Sequence, residues 1–228
     1  MIRVFLTDEI VKSKDVFLSE NQIHYLLHVM RQKEGGTISV FNGRDGEWEA
    51  SIAELNKKRG RIQPVRQMRI QEEEKPLILC PAIIKKENMD LVFQKATELG
   101  VTEIYPLITA RTVVPKLNKM RAQSVLIEAA EQCERLSIPT LHEPQKLEDF
   151  FRSLKVDIKP VCLAERGKTQ IIKSDKIPAF CVGPEGGWAP EEIALFQKKN
   201  ADFLHLGQTI LRAETASIAA LTLAKWAL

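Results

Sequence analysis

The spacing of apolar and polar positions changes near residue 70. Before that point apolar residues alternate with polar ones in short segments. The stretch TISVFNGRDGEWEASIAEL (residues 37–55) carries this alternation on both sides of the turn sequence NGRDG. A period of two is typical of strands, because successive side chains of a strand point to opposite faces. The pattern predicts a hairpin within a small β-rich domain that occupies residues 1–70.

After residue 70 apolar runs of strand length alternate with helical patterns. The polar segment RIQEEEKP (residues 69–76) ends in proline and predicts a linker. One helical pattern, NMDLVFQKATELG, has Asn88 as a candidate N-cap and Gly100 as a stop signal. Alternating strands and helices predict a parallel sheet with helices on both faces. We therefore assign residues 71–228 to a second domain of the α/β class.

Charge and composition narrow the classes of function only a little. The chain has 33 Lys and Arg against 30 Asp and Glu, and residues 1–70 hold the whole surplus with 12 basic and 9 acidic side chains. A net charge of +3 is compatible with a nucleic-acid face and equally with a solvated surface. No apolar run approaches the roughly 18 residues of a membrane span. Charged residues also follow directly on the short apolar start, so we expect no secretory signal and a cytoplasmic protein.

Cysteine and histidine positions offer little independent chemistry. Four scattered cysteines, without a C-x-x-C pair, predict free thiols in a reducing compartment; they are Cys80, Cys133, Cys162 and Cys181. Cys133 is a candidate nucleophile, but the helix around it has the pattern of a core helix. His24 and His28 lie four apart on a predicted helix, a spacing that suits a metal. No third ligand is near, so we favour surface or packing histidines.

Three loops are expected at the carboxyl ends of strands, where open parallel sheets bind ligands. They are PLITART (residues 106–112), CVGPEGGW (residues 181–188) and LHLGQTILRAETA (residues 204–216). The second loop lacks the Gly-Lys-Ser/Thr of a phosphate loop, and its spacing is not G-x-G-x-x-G. Glu185 would repel a phosphate, whereas Gly183, Gly186 and Gly187 allow positive φ and close backbone approach. The alternative is a tight connection with an incidental acid.

The third loop places Arg212 and Glu214 two residues apart at the start of a predicted helix. A surface ion pair would be the ordinary interpretation, and such a pair stabilises little. Two unusual loops at neighbouring strand ends favour a ligand site instead.

Four motifs together resemble one family. GPEGGW, LGQTILRAETA, QKATELGV and EAAEQCERLSIP are similar to those of bacterial 16S ribosomal RNA methyltransferases that act on uridine N3, in the SPOUT class. The stretch IHYLLHVMRQKEGGTISVFNG resembles the PUA-like N-terminal domain of that family, so the resemblance spans the chain. Trp188 departs from the phenylalanine expected there but keeps an aromatic ring. The resemblance implies a knotted, parallel-sheet methyltransferase domain after a small PUA-like β-barrel.

The resemblance also implies a cofactor, S-adenosyl-L-methionine, and no metal. The reactive centre of this cofactor is a sulfonium cation and its tail has no phosphates, which suits a bare glycine loop that carries a carboxylate. The cofactor-binding residues carried over from the family are Leu107, Gly183, Pro184, Glu185, Gly186, Gly187, Leu206, Gly207, Ile210 and Leu211.

For catalysis we expect Arg212 to stabilise the uridine anion that forms when N3 loses its proton. Glu214 could accept that proton or orient Arg212 through an ion pair, and we favour the orienting role. The candidates for RNA contact are Arg3, Arg31 and Arg44 in the N-terminal domain, with Lys85 and Arg111 in the catalytic domain.

The family further implies a homodimer and, as substrate, 16S ribosomal RNA in the assembled small subunit. The C-terminal helix supports a buried interface because it is apolar or small nearly all round; its apolar and small residues include Ile218, Ala219, Leu221, Leu223, Ala224, Trp226 and Leu228. Two other functions stay open: a transfer RNA methyltransferase of the same fold, and an RNA-binding protein without catalytic activity.

Overall fold

The computed structural model describes residues 1–113, 115–164 and 175–227. Its contacts divide the chain into two compact units. The first contains Met1–Glu73 together with Ala130–Ile138, and the second contains Glu74–Ala129 together with Pro139–Leu228. The sequence patterns had assigned all of residues 71–228 to one domain and gave no sign that Ala130–Ile138 packs with the N-terminal unit.

The first unit is built on a five-stranded sheet with the strand order β1-β3-β4-β5-β2. Its elements are β1 (Arg3–Phe5), β2 (Val16–Phe17), α1 (Glu20–His24), a π-helical turn (Tyr25–Val29), β3 (Thr37–Phe41), β4 (Glu47–Leu55) and β5 (Gly60–Arg69). Strands β3 and β4 pair antiparallel from Phe41↔Glu47 to Thr37↔Ser51, which confirms the hairpin predicted around NGRDG. In its turn, Asn42 Oδ1 accepts hydrogen bonds from the backbone N–H groups of Arg44 and Asp45.

Arg3 is a buried residue of this unit, with 7% of its surface exposed. Its Nε donates to Glu47 Oε1 at 2.7 Å, and its two Nη atoms donate to the backbone carbonyl oxygens of Ala130, Glu131 and Arg135. A cation suits these carbonyls, because the last carbonyls of a helix have no partner within the helix. Arg3 therefore holds the segment Ala130–Ile138 in the first unit.

The second unit is an α/β layer structure. Its elements are β6 (Ile78–Pro81), α2 (Lys86–Glu98), β7 (Glu103–Ile104), β8 (Leu107–Ile108), α3 (Lys119–Gln132), β9 (Thr140–Leu141), β10 (Gln145–Lys146), α4 (Leu147–Ser153), β11 (Ile158–Leu163), β12 (Ile177–Val182), α5 (Pro190–Lys198), β13 (Asp202–Leu204) and α6 (Ala213–Ala227); the last three residues of α3 belong to the first unit. Six strands form a sheet in the order β13-β11-β12-β6-β7-β9. Every neighbouring pair in it is parallel, which confirms the parallel sheet predicted from the alternating pattern.

Two local predictions for this unit differ in outcome. Helix α2 begins at Lys86 with Lys85 at its N-cap, so Asn88 lies inside the helix and is not the cap. Gly100 has φ +89° directly after the helix, a left-handed conformation that glycine adopts without strain, and it ends the helix as predicted.

The central strands carry three cysteines in one row. Cys162, Cys181 and Cys80 occupy matching positions on β11, β12 and β6, and all three are buried. All four cysteines are free thiols, as expected. Burial raises the pKa of the Cys162 thiol well above its ordinary value, which keeps this thiol protonated and unreactive. Cys133 is exposed, in contrast to the predicted core position, because it follows the end of α3.

Candidate active site

A pocket of about 190 Å³ opens at the carboxyl ends of β11, β12 and β13, which are neighbours in the sheet. The loops GPEGGW and LHLGQTILRAETA supply most of its walls. Of the ten residues predicted to bind a cofactor, the pocket is lined by Gly183, Pro184, Glu185, Gly187, Leu206, Ile210 and Leu211. Arg212 lines it as well. The two loops that the sequence singled out therefore meet at one site.

The loop GPEGGW is a tight turn closed by its own backbone. The Gly187 N–H donates to the Pro184 carbonyl oxygen at 2.8 Å, and Gly187 has φ +70°. Gly183 and Gly186 do not adopt positive φ, so the expectation of positive φ holds for Gly187 alone. At Gly183 an added Cβ would come within 3.2 Å of the Trp188 ring. The packing of this ring therefore explains why the position holds a glycine.

Trp188 links this loop to the neighbouring strand. Its Nε1 donates to the Leu163 carbonyl oxygen at 2.9 Å, at the end of β11. Its ring packs edge-on against Phe196 of α5, with centroids 4.9 Å apart. A phenylalanine would keep the ring contact but would lack this donor.

The loop PLITART does not place Leu107, its predicted cofactor-binding residue, in the pocket lining. The Leu107 side chain is fully buried in the core, and its carbonyl oxygen accepts from the Ile83 N–H at 2.9 Å. The segment that follows β8 contacts the GPEGGW loop instead. Arg111 Nη1 donates to the Gly186 carbonyl oxygen at 2.5 Å. An added Cβ at Gly186 would lie 3.3 Å from Arg111 Cδ.

Glu192 of α5 is a residue that the sequence analysis missed. Only 6% of its surface is exposed, and its carboxylate accepts hydrogen bonds from two loops. Oε2 accepts from the Ala189 N–H at 2.8 Å, and Oε1 accepts from the Ala110 N–H at 2.9 Å. The sequence could have predicted the bond to Ala189, because an acid at the third position of a helix commonly caps the helix start. It gave no sign of the bond to Ala110.

The third loop brings Arg212 to the pocket, but Gly207 does not line it. Gly207 has φ +101°, and an added Cβ would meet no atom within 4 Å, so this glycine shapes the loop through its backbone conformation. Arg212 is exposed, and its carbonyl oxygen accepts from the Ala216 N–H at 2.8 Å in the first turn of α6. Arg212 thus directly precedes α6, and its backbone carbonyl accepts one of the first hydrogen bonds of that helix.

Arg212 and Glu214 do not form the ion pair considered from the sequence; within the described part of the chain no salt bridge joins them. Glu214 lies in the first turn of α6 with 8% of its surface exposed. Its Oε2 is buried and accepts no hydrogen bond from any residue that the structure describes. A buried carboxylate oxygen without a partner is costly, and such groups are common at functional sites.

The predicted RNA contacts separate into exposed and buried residues. Arg31 and Arg44 are exposed in the first unit, and Lys85 and Arg111 are exposed in the second. Arg3 is a correction: its guanidinium is buried and already donates to Glu47 and three backbone carbonyls. It is therefore not free to bind a phosphate.

His24 and His28 are both exposed, and their ring centroids lie 4.9 Å apart where α1 continues into the π-helical turn. In the described ranges of the chain, no group of three His, Cys, Asp or Glu side chains is placed to hold a metal ion. Among the helices that the structure describes, none has the length and apolar character to cross a membrane.

Known proteins that resemble this chain are RNA methyltransferases, in agreement with the pocket described above. Residues 71–225 match the family model of an RNA methyltransferase domain, and residues 18–65 match that of an RNA methyltransferase PUA domain. A ribosomal RNA small subunit methyltransferase E of Rickettsia conorii is 31% identical over 96% of this chain and 93% of its own length. These matches agree with the predicted PUA-like and parallel-sheet domains.

Two solved structures are similar over nearly the whole chain. A Legionella pneumophila protein, described as a methyltransferase in complex with the bound cofactor SAM, has a TM-score of 0.90 and 34% identity over 99% of this chain and 97% of its own. A ribosomal RNA small subunit methyltransferase E of Neisseria gonorrhoeae, bound to S-adenosyl methionine, has a TM-score of 0.88 and 27% identity over 97% and 95%.

Proposed function

We propose that this chain, which belongs to the RNA methyltransferase family, transfers a methyl group from S-adenosyl-L-methionine to N3 of a specific uridine in 16S ribosomal RNA. The observation that carries the proposal is the pocket in which the GPEGGW loop, the LGQTILRA loop and Arg212 meet at the carboxyl edge of the parallel sheet. Ligands of open parallel sheets bind at this edge.

The residues of the pocket fit the proposed cofactor. Leu163, Leu204 and Leu206 give the pocket an apolar lining, and Glu185 places a carboxylate at its wall. A carboxylate attracts a ligand with a positive sulfonium and repels a phosphate tail. The cofactor supplies an activated methyl group, and the protein supplies position and charge.

Arg212 is the proposed stabiliser of the reacting base. Uridine N3 is a poor nucleophile until it loses its proton, and the charge then spreads onto O2 and O4. A guanidinium at the pocket wall favours that anion and can donate two parallel hydrogen bonds to it. Because the methyl transfer needs in-line geometry, the positioning of the base contributes to the rate as well.

Glu214 is the proposed acceptor of the N3 proton. The alternative, that it orients Arg212, depends on an ion pair that the described residues do not contain. Its buried Oε2 instead lacks any partner in the described structure, so a proton or a substrate donor would satisfy it.

Binding to RNA is proposed to use exposed cations of both units: Arg31 and Arg44 in the first, Lys85 and Arg111 in the second. Contacts with phosphates position an RNA without reading its sequence. The proposed substrate is the assembled small subunit, and the proposed location is the cytoplasm.

A homodimer through helix α6 is part of the proposal. Leu221 and Ala224 are buried within their own unit. Part of the apolar surface of the helix is therefore already covered, and only the rest is free for a partner. Leu223 is 52% exposed, with Ile218 and Ala219 half-buried. The Trp226 side chain and Leu228, also predicted for this face, lie outside the described residues. The exposed apolar positions are consistent with a second copy, and light scattering tests for it.

The decisive experiment is mass spectrometry of nucleosides from 16S ribosomal RNA of a deletion strain. The expected result is the loss of one N3-methyluridine, which returns when the gene is restored. Loss of a modified nucleoside from transfer RNA alone would favour the alternative transfer RNA enzyme. No change in any nucleoside would favour an RNA-binding protein without catalytic activity.

A further inference from the structure

Glu192 joins two loops that are distant in sequence. It stands in the first turn of α5, and both of its carboxylate oxygens accept backbone hydrogen bonds, one from Ala189 and one from Ala110, 82 residues away. The bond to Ala189 is a local helix cap. The bond to Ala110 is not local, and helix capping does not require it.

Both bonded residues adjoin the GPEGGW loop or a residue that contacts it. Ala189 directly follows Trp188, which lines the pocket. Ala110 precedes Arg111, whose Nη1 donates to the Gly186 carbonyl oxygen within GPEGGW. The loop after β8 is therefore joined to the loop after β12 at two points, one through a carboxylate and one through a guanidinium. Hydrogen bonds to charged groups are the stronger kind, and burial of Glu192 strengthens its bonds further.

We propose that Glu192 is a positioning residue: together with Arg111 it fixes the loop after β8 against the GPEGGW loop and so holds the cofactor pocket in its binding shape. Glu192 does not line the pocket, so its effect is exerted through Ala110 and Ala189. The proposal rests on the proposed function only in taking S-adenosyl-L-methionine as the ligand of this pocket. A pocket held in its binding shape does not spend binding energy on ordering loops.

The test compares Glu192→Gln with Glu191→Gln, since Glu191 is the exposed neighbour and has no described partner in either loop. A glutamine side chain has only one acceptor oxygen, and its NH₂ group is a donor. In Glu192→Gln one of the two backbone N–H groups therefore faces another donor and loses its hydrogen bond. Cofactor affinity is measured by calorimetry without RNA, next to the thermal midpoint. For Glu192→Gln we expect roughly a tenfold or greater loss of affinity, the size of one lost charged hydrogen bond, while Glu191→Gln binds as wild type does.

Steady-state kinetics separates positioning from general damage. We expect Glu192→Gln to raise the KM for the cofactor while kcat at saturation stays within about twofold of wild type, because the reacting groups are intact. Wild-type affinity in a folded Glu192→Gln protein would overturn the proposal, as would a fall in kcat with an unchanged KM.

Arg111→Ala decides the matter if Glu192→Gln does not fold, because Arg111 is exposed and its removal leaves the core intact. A severalfold loss of cofactor affinity in this variant supports the proposal, and wild-type affinity overturns it. If the wild-type protein itself does not bind the cofactor, the proposed function fails instead, which separates the two outcomes.

Discussion

The indole Nε1 of Trp188 donates a hydrogen bond to the backbone carbonyl oxygen of Leu163 at 2.9 Å. This bond ties the GPEGGW loop to the end of the neighbouring strand β11, and both residues line the pocket. The resemblance to the methyltransferase family led us to expect phenylalanine at this position, which has no such donor. In this chain the tryptophan thus adds a polar link to a contact that is otherwise made by ring packing.

Replacing Trp188 by phenylalanine should therefore cost little. Trp188→Phe keeps the ring next to Phe196 but leaves the Leu163 carbonyl without its donor, so we expect a loss of about 1 kcal/mol in the free energy of unfolding. Denaturant titration measures it. Trp188→Ala removes the ring contact too and should lose about 3 kcal/mol or more. Equal losses in the two variants would show that the hydrogen bond, and not the ring, stabilises the loop.

The two adjacent glycines of GPEGGW should respond differently to alanine. Gly187 has φ +70°, where an L-residue is strained by about 1–2 kcal/mol. An alanine at Gly186 meets only the movable Arg111 side chain. We expect Gly187→Ala to weaken cofactor binding roughly tenfold and Gly186→Ala to change it much less, by calorimetry. The reverse order would contradict the backbone conformation of this loop.

Arg212→Lys should separate binding from turnover. A lysine keeps the charge at the pocket wall but cannot present two parallel donors to the uridine anion. We expect cofactor affinity within a few-fold of wild type, and a single-turnover rate lower by roughly a hundredfold or more. A wild-type rate in Arg212→Lys would show that another group stabilises the anion.

Glu214→Gln tests the proton acceptor through the pH profile. A glutamine cannot accept the N3 proton, so an enzyme that depends on Glu214 as its base should lose most of its rate near neutral pH and regain it in alkali, where uridine loses its proton unaided. If Glu214 only orients Arg212, the rate should fall by a similar factor at every pH, because alkali does not restore the position of the guanidinium. Single-turnover rates across the pH range distinguish the two profiles, and a loss that does not change with pH would overturn the proposed role.

RNA binding and stability should depend on different arginines. Arg31→Ala combined with Arg44→Ala removes two exposed cations of the first unit, so RNA affinity and its dependence on salt should both fall while stability is unchanged. Arg3→Ala removes one partner of the buried Glu47 carboxylate, which keeps Ser39 and Arg69, and it also removes the bonds to three backbone carbonyls; it should destabilise the protein by about 3 kcal/mol. Filter binding at several salt concentrations and thermal unfolding provide the two measurements. A double variant with the wild-type salt slope would remove Arg31 and Arg44 from the proposed face.

The sequence alone determined the class of fold and the place of the site. The hairpin around NGRDG and the parallel sheet follow from apolar spacing, because the period of side-chain directions in a strand or helix is a local property. The loops GPEGGW and LHLGQTILRAETA were recognised for the same reason: each is contiguous, and each follows a strand. The family resemblance then supplied the cofactor and the reaction, which no periodicity contains.

Only the tertiary structure decided what individual residues do within that frame. Arg3 looked like a candidate RNA contact, but it holds the end of α3 from more than 120 residues away, since the burial of an arginine depends on distant partners. The same reason hid Glu192, whose bond to Ala110 spans 82 residues, and it placed the Leu107 side chain in the core and not in the pocket lining. Which glycine of GPEGGW adopts positive φ was likewise decided by how the turn closes on Pro184 and not by the presence of glycine alone. Local patterns fix the direction of side chains, whereas burial, pairing and backbone strain arise from contacts between segments far apart in the chain.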